Sequence, residues 1–349
     1  MIRHIMIKRI TIAAGFLALG PALSAQESAT TPIDSERSDQ ISSIQKIEGT
    51  SSFVQDYEPN PAIWRLADDD TIIYIFGTFH VLPAGFRWRT DRLDQIVGEV
   101  DELVVEMSDE DVGDGVSDLL RELVEQSSSS PPISERLSEP NAQKWQKLLH
   151  LTGDEEQAFD RMPLFLSLMS IGMVQFGQGG SAREYGVETV LEAEFQAAQK
   201  PISSIENSLV YFREIALLDD DSLLQELENN LSEWNDGSVE NLFAAATSGA
   251  DDSSDGDAEI TVGPFSSEHA WAQGELQDIR SEFEDSGAFY AAMYEILIVK
   301  RNQAWTVWLQ DRLDEPGEIL LAAGAGHFEG DDSVILMLRE QGLQVDRIQ

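Results

Sequence analysis

From residue 61 onward, apolar positions form short strand-like runs near both ends of the chain and helix-like periods in the middle. AIWRLA (62–67) and TIIYIF (71–76) flank three consecutive aspartates, which predicts a β-hairpin with a polar turn. Four further runs predict strands: ELVVEM (102–107), ISSIE (202–206), EILLAA (318–323) and LQVDRI (343–348). The strand signal is therefore concentrated at the two ends.

Helical spacing of apolar residues accounts for most of the rest. It predicts helices at 90–101, two within 140–177, and others at 186–200, 207–248, 284–313 and 331–342. Strand–helix–strand order at both ends favours an α/β fold with α+β character. We expect a mixed β-sheet built from N- and C-terminal strands, with flanking helices and a mostly helical middle insertion at about 107–317.

Residues 1–25 have the pattern of a secretory signal peptide. The basic segment MIRHIMIKR precedes the apolar run ITIAAGFLAL, and an A-x-A-like cleavage site ends at Ala25. Residues 26–60 are polar and lack periodicity, which predicts a flexible leader before an α/β domain at 61–349. We expect the mature protein in a bacterial periplasm or outside the cell, with no stable membrane insertion after signal cleavage.

Composition narrows the possible partners and cofactors. The formal net charge is −41, from 23 basic and 64 acidic residues, and such a surface repels nucleic-acid phosphates and anionic lipids. Nucleic acid is therefore not an expected partner. The chain has no cysteine, which excludes disulfides, Fe–S clusters, thiol nucleophiles and Cys-ligated zinc. A bound metal would need His, Asp, Glu, carbonyl or water ligands.

Four predicted strands each run into a residue that is able to do chemistry. Two end in the motif Gly-x-x-His and two lead directly into a glutamate; the four residues are His80, Glu106, Glu206 and His327. Ligands in open α/β sheets bind beyond the carboxyl ends of the strands. If these strands are parallel neighbours, both histidines and both glutamates point into one crevice. Two imidazoles and a carboxylate are a normal ligand set for Zn, Mn, Co or Fe.

Three more polar residues lie in predicted helices. Glu188 begins one, in Gly-Val-Glu, where the helix dipole favours an acid regardless of function. Arg301 and Asn302 lie in the apolar segment IVKRNQAW. An arginine in such a setting usually binds a carboxylate or an anionic ligand, and a surface ion pair is the alternative.

A family resemblance rests on five segments: YIFGTFHVLP, ELVVEM, YGVETVLEAEFQAAQKPISSIE, KRNQAW and AAGAGHFEGDDSVILMLREQGLQVDRI. Together they resemble the TraB/GumN family over about residues 61–349, and that family is similar to the TIKI metalloproteases of animals, which depend on Mn or Co. The resemblance implies a metal-dependent hydrolase fold. His80 and His327 match the motif histidines, Glu106 matches the acid after the second strand, and Glu188, Glu206, Arg301 and Asn302 match recurrent polar positions.

These observations favour a secreted or periplasmic metal-dependent hydrolase, metalloprotease-like, with a peptide or protein substrate. A divalent metal ion (Mn, Co, Zn or Fe) would be held by His80, Glu106 and His327. The catalytic set would be Glu206 or Glu188 as proton acceptor, Arg301 at the developing oxyanion or a substrate carboxylate, and Asn302. Two alternatives remain: a metal-free His/Glu hydrolase, and a non-catalytic binding or scaffold protein of the cell envelope.

Overall fold

The computed structural model describes most of the chain after residue 52. The described residues are 53–108, 115–127, 130–152, 156–178, 181–234, 265–275, 279–280, 283 and 288–349. The predicted signal peptide and residues 26–52 of the predicted leader lie outside them. None of the described helices is both long and apolar enough to cross a lipid bilayer.

The strands form one mixed sheet and one small separate pair. They are β1 Ile63–Ala67, β2 Thr71–Thr78, β3 Leu82–Pro83, β4 Glu102–Val105, β5 Ser181–Ala182, β6 Ile202–Ser204, β7 Gly317–Gly324 and β8 Val345–Arg347. Six of them pair in the order β6-β4-β7-β2-β1-β8, and β3 pairs with β5. The predicted combination of N-terminal and C-terminal strands in one mixed sheet is confirmed.

Strands β6, β4, β7 and β2 run parallel to one another, and β1 runs antiparallel to both β2 and β8. The hairpin between β1 and β2 forms as predicted, with Ala67 opposite Ile72. Its turn is closed by Asp68, whose Oδ1 accepts the backbone N–H groups of Asp70 (3.1 Å) and Thr71 (2.9 Å). An aspartate stabilises a tight turn in this way by imitating a backbone acceptor.

Helices surround the sheet and fill the middle of the chain. They are α1 Asp91–Glu99, α2 Gly115–Ser127, α3 Ile133–Arg136, α4 Glu139–Thr152, α5 Glu156–Arg161, α6 Leu164–Gln178, α7 Val187–Ala197, α8 Ser208–Ala216, α9 Asp221–Glu233, α10 Ser266–Ala272, α11 Ala288–Tyr294, α12 Arg301–Arg312 and α13 Val334–Glu340. A π-helical segment, Glu295–Lys300, joins α11 to α12, and turns of 3-10 helix lie at Arg183–Tyr185 and Ala325–His327.

The prediction of two helices within 140–177 is wrong, because three helices, α4, α5 and α6, occupy this range. The break between α5 and α6 lies at Met162 and Pro163. Proline disfavours helical backbone at the residue before it and has no N–H to donate, so the apolar period continues while the helix does not. The carbonyl of Pro163 instead accepts the N–H of Ser167 (3.1 Å), which begins α6.

The main sheet is buried on both faces. In β7, Ile319 and Leu321 pack with α12 and α13, whereas Leu320 and Ala322 pack on the opposite face with α1 and α7. Burial on both faces explains why the parallel strands read as continuous apolar runs in the sequence. A third buried cluster is formed by α2–α6, α8, α9, α11 and the π-helical segment, and we call it the helical body.

Two segments refine the predicted domain boundaries. Within the range assigned to the helical insertion, β5 pairs with β3, α7 packs on the main sheet and β6 is a strand of that sheet. The helical body is therefore formed by segments that precede β5 and segments that follow β6. At the other boundary, residues 53–60 of the predicted leader lie against the domain. Phe53 and Tyr57 pack against the buried cluster that α1 and α7 form with β7, and the N–H of Asn60 donates to the carbonyl of Ala272 (2.7 Å).

Gly186 lies directly against the backbone of His80, just beyond the end of β2. A Cβ at this position would lie 2.0 Å from the carbonyl oxygen of His80. We expect Gly186→Ala to lower the free energy of unfolding by about 1–3 kcal/mol, because backbone must move to accept the methyl group. Gly98→Ala is the matched control. A Cβ at this position of α1 would meet no atom within 4 Å outside its own helix backbone, and replacing a helical glycine there should raise stability by up to about 1 kcal/mol. Urea titration of both variants tests this, and equal effects would contradict it.

Candidate active site

Four chemically capable residues meet at one edge of the sheet. Glu206, Glu106, His327 and His80 follow β6, β4, β7 and β2, which are consecutive parallel neighbours in that spatial order. The carboxyl ends of parallel strands lie at the same sheet edge, so the four residues converge as the sequence predicted. The N–H of Glu206 donates to the carbonyl of Glu106 (3.3 Å), which continues the strand pairing into the site.

The glycines of the two Gly-x-x-His motifs make different contacts. A Cβ at Gly77 would lie 3.1 Å from Cα of Ala325, so glycine lets the end of β2 approach the chain that follows β7. At the second motif the N–H of Gly324 donates to Oε1 of Glu106 (2.7 Å). Gly77 therefore allows the two motifs to lie close together, and the backbone of Gly324 connects the second motif to Glu106.

His80 is held by Glu188 from α7. Its Nδ1 lies 2.8 Å from Oε1 of Glu188, and the hydroxyl of Thr78 donates to the same carboxylate oxygen. Burial alone would lower the pKa of His80, but the charge of Glu188, helped by Glu106, outweighs burial and raises this pKa to about 10. His80 is 7% exposed, so a buried imidazolium lies between two glutamates at neutral pH.

One atom of each residue in this pair lacks a partner. Nε2 of His80 lies 3.6 Å from Oε1 of Glu106, which is longer than a hydrogen bond. Within the described part of the chain, this nitrogen and Oε2 of Glu188 are buried and make no hydrogen bond. Buried polar atoms without partners are uncommon and raise the question of what binds there in function.

His327 is held from the opposite side by α12. It is fully buried in the turn after β7, and its Nδ1 lies 2.6 Å from Oδ1 of Asn302. The indole of Trp305 packs on its ring, with 4.2 Å between the ring centroids. Burial and the nearby charge of Arg301 hold the pKa of His327 well below its usual range, so this imidazole is neutral. The two motif histidines therefore have opposite charge states.

Arg301 binds two of the glutamates. Its Nη2 donates to Oε2 of Glu106, and its Nε donates to Oε1 of Glu206 (2.8 Å). Burial alone would raise the pKa of Glu106, but the charge of Arg301, together with His80, outweighs it and keeps this pKa well below its usual range. Arg301 is 1% exposed, so the alternative of a surface ion pair is wrong. Its guanidinium faces carboxylates of this chain.

Both carboxylate oxygens of Glu206 accept hydrogen bonds. Oε1 accepts from Arg301 and from the hydroxyl of Ser208 (2.7 Å), and Oε2 accepts the indole N–H of Trp305 (2.7 Å). This glutamate is the outermost member of a chain of alternating charge that runs Glu188, His80, Glu106, Arg301 and Glu206. Three carboxylates against two cations leave this chain with one net negative charge.

The start of α12 places three residues with different tasks. Arg301 and Asn302 are adjacent, so they point about 100° apart around the helix axis, and Trp305 lies one turn further between them. The π-helical segment before α12 adds a residue to its turn and so sets which way these side chains face. Trp305, Thr78 and Ser208 are site residues that the sequence analysis missed. Trp305 follows Arg301 by four positions, which was the available signal.

The donor chemistry at this edge fits a divalent metal ion. Nδ1 of each motif histidine faces a side-chain acceptor, Glu188 or Asn302, which is the way metal-binding histidines are usually oriented. The candidate ligand atoms of His80, Glu106 and His327 lie farther apart than they would around a bound ion. In the described ranges, only the surface group Asp219–Asp221 has three His, Asp or Glu ligand atoms all within 4.8 Å of one another. His80, Glu106 and His327 would have to move closer together around an ion.

Removing the buried guanidinium should destabilise the protein strongly. We expect Arg301→Met to lower the free energy of unfolding by about 3–5 kcal/mol at neutral pH, because two buried carboxylates lose their cation. Arg213→Met is the matched control, since Arg213 pairs with Glu122 at the surface, where such pairs contribute at most about 1 kcal/mol. Urea titrations compare the two variants. A loss at Arg301 no larger than the loss at Arg213 would contradict the role of Arg301.

The raised pKa of His80 predicts a loss of stability at alkaline pH. His80 titrates at about 10 in the folded protein against an ordinary value of 6.5, so the folded state binds more protons between these two pH values. Its contribution is therefore fully present below about pH 6.5 and disappears as the pH rises through about 10. In chelator-treated protein, the stability difference between wild type and His80→Gln should shrink from pH 7 to pH 10. A constant difference across this window would contradict the assignment.

Comparison with models of protein families matches a part of the chain that contains the whole main sheet and every residue of the site. The model of the TraB/PrgY/gumN family matches residues 62–347, which run from the start of β1 to the end of β8. Comparisons with curated proteins and with solved structures give no match. The family match spans well over half of the sequence and includes both Gly-x-x-His motifs, and on this basis the chain belongs to the TraB/PrgY/gumN family.

Proposed function

We propose that this member of the TraB/PrgY/gumN family is a metal-dependent hydrolase that cleaves peptide bonds. The observation that carries the proposal is the orientation of the two motif histidines. Each has its Nδ1 against a side-chain oxygen, of Glu188 or of Asn302. A neutral imidazole held in this way carries its proton on Nδ1 and presents the lone pair of Nε2, which is the nitrogen that binds a metal.

His80, Glu106 and His327 are the proposed ligands of a Mn, Co, Zn or Fe ion. Such an ion lowers the pKa of a bound water and polarises a carbonyl group. Charge also supports the assignment. The buried chain from Glu188 to Glu206 carries one net negative charge with His80 protonated, and a divalent ion in place of that proton brings the sum to zero. Carboxylate Oε1 of Glu106 already accepts one N–H and retains a lone pair.

Of the two candidates for the proton acceptor, Glu188 is the one that keeps an unbonded oxygen within the described residues, and it would reach the water from the Nδ1 side of the His80 ring. Glu206 has both oxygens bonded, whereas Oε2 of Glu188 makes no hydrogen bond within the described residues. In peptide hydrolysis, water oxygen bonds to the carbonyl carbon and Oε2 of Glu188 takes the water proton. The same proton then passes to the amide nitrogen as the C–N bond breaks, giving a carboxylic acid and an amine.

Arg301 and Glu206 are assigned a positioning role in this proposal. Both donors of Arg301 that face the site bind Glu106 and Glu206, so the guanidinium is already occupied by carboxylates. It orients Glu106 and keeps this carboxylate ionised, as a metal ligand must be. The oxyanion role expected for Arg301 from the sequence is therefore less favoured than this one.

The proposed place of action is the periplasm or the outside of the cell. It rests on the charged start, the short apolar run and the Ala25 cleavage site of residues 1–25. The proposed substrate is a peptide or a protein.

Metal content tests the proposal directly. The protein is purified without chelator or histidine tag and analysed by mass spectrometry for bound metal. We expect about one Mn, Co, Zn or Fe ion per chain, and loss of that ion in a folded His80→Ala/His327→Ala double variant. His150→Ala is the matched control, because His150 is exposed on α4 in the helical body. It should keep the ion. Equal metal content in the double variant, or none after incubation with Mn or Co, would refute the metal site.

The geometry also supports a second candidate, a metal-free hydrolase that uses the His80–Glu188 pair. Glu106 is already bound to Arg301, and the three proposed ligands are spaced more widely than a metal needs. Hydrolysis that resists chelators and is lost in His80→Ala would favour this candidate. Absence of metal and of hydrolysis, with partner binding intact in His80→Ala, would favour the envelope scaffold.

A further inference from the structure

Asn302 has an arrangement that a merely structural residue would not need. It is fully buried at the start of α12, and its amide touches both the backbone and the ring of the second motif histidine. Oδ1 lies 2.6 Å from Nδ1 of His327, while Nδ2 donates to the carbonyl of His327 (3.3 Å) and to the carbonyl of Asp332 (2.7 Å).

The two carbonyl contacts determine which way the amide faces. Carbonyl oxygens only accept hydrogen bonds, so the amide atom that faces them must be the NH2 group. The other atom, which faces the ring, is therefore Oδ1, an acceptor without a proton. An acceptor at 2.6 Å requires a proton on Nδ1 of His327. The backbone carbonyl of Asn302 also accepts the hydroxyl of Thr306, one turn further along α12 (2.7 Å).

The ring of His327 cannot turn to escape this contact. Trp305 packs on it at 4.2 Å between centroids, and the side chain of His327 is fully buried. A flip of the imidazole would place a C–H against Oδ1 of Asn302 and lose the hydrogen bond. A neutral histidine side chain that is free in water prefers the opposite tautomer, with the proton on Nε2. The site therefore works against the intrinsic preference of the ring.

We propose that Asn302 is a positioning residue that holds His327 in the Nδ1–H tautomer and so keeps the lone pair of Nε2 directed into the site. Asn302 does not touch the reacting atoms. It acts through His327, and its importance for catalysis rests on the proposed function. Its effect on the tautomer exists in the metal-free protein and is measured there, so the two proposals fail separately.

The test is nitrogen NMR of the metal-free protein with 15N-labelled histidine, at a pH where the ring of His327 is neutral. His327→Gln identifies the signals by their loss. In wild type we expect the N–H of His327 at Nδ1 and a proton-free Nε2. In Asn302→Leu, which has similar volume and no acceptor, we expect the proton to shift to Nε2 in a substantial part of the population. Metal affinity, measured separately, should fall about 10- to 100-fold.

Two further variants separate orientation from stability. Asn302→Asp keeps an oxygen facing Nδ1 but loses the two N–H donors, so it should lose stability and still retain the Nδ1–H tautomer. Asn141→Leu is the matched control for losing a buried asparagine. Nδ2 of Asn141 bridges α4 to α9 through the carbonyl of Glu228 (2.9 Å) and the hydroxyl of Ser232 (2.8 Å), inside the helical body. It should lower stability and leave the signals of His327 unchanged.

Three results would overturn the proposal. Wild-type His327 with its proton on Nε2 would overturn it, even if no variant of Asn302 folds. An unchanged tautomer in folded Asn302→Leu would show that packing alone orients the ring. A tautomer shift in Asn141→Leu equal to the shift in Asn302→Leu would show that general loss of stability is the cause. A normal tautomer with no bound metal would instead refute only the metal-dependent function.

Discussion

The site depends on the buried guanidinium of Arg301. Carboxylates remain ionised at the buried end of a sheet only if positive charge compensates for the water they have lost. Arg301 supplies that charge to Glu106 and Glu206 at once, and the indole N–H of Trp305 completes the bonding of Glu206. A lysine, with a single point of charge, could not reach both carboxylates in the same planar arrangement. The identity of the residue at 301 therefore follows from the positions of two strand ends.

The same constraint divides three carboxylates into different roles. Glu106 and Glu206 follow adjacent strands, and each gives one oxygen to the same guanidinium, Oε2 of Glu106 and Oε1 of Glu206. Glu188 comes from a helix on the opposite side and shares only one oxygen with His80 and Thr78. Its second oxygen makes no hydrogen bond among the described residues. Position in the fold, and not residue type, therefore separates the two carboxylates that bind Arg301 from the one that binds His80.

Much of the site at this edge of the sheet was predictable from the sequence, because each strand and the residue that follows it are adjacent in the chain. The hairpin, the later strands and the convergence of His80, Glu106, Glu206 and His327 follow from apolar runs and from the general geometry of parallel sheets. The break at Pro163 was also encoded locally, but the apolar period across it concealed it. The partner of Arg301 was not predictable, since it depends on how α12 crosses the sheet. Periodicity reports which face of a helix is buried and not which strand end it meets.

The distance between His80 and Glu106 connects the stability of the site to its proposed use. With a proton on Nε2, His80 is a cation between two glutamates, and its contact with Glu106 is an electrostatic one at 3.6 Å. In the proposed metal-bound form, a divalent ion would compete with this proton for Nε2 of His80 and Oε1 of Glu106. Binding would then release the proton and draw His80, Glu106 and His327 closer together. Glu188 and Asn302 bind Nδ1 of the two rings, so a neutral form of each ring would keep the lone pair of Nε2 for the ion. These two acceptors would therefore orient the rings before an ion binds, and the net negative charge of the chain from Glu188 to Glu206 would favour a dication over a single proton at His80.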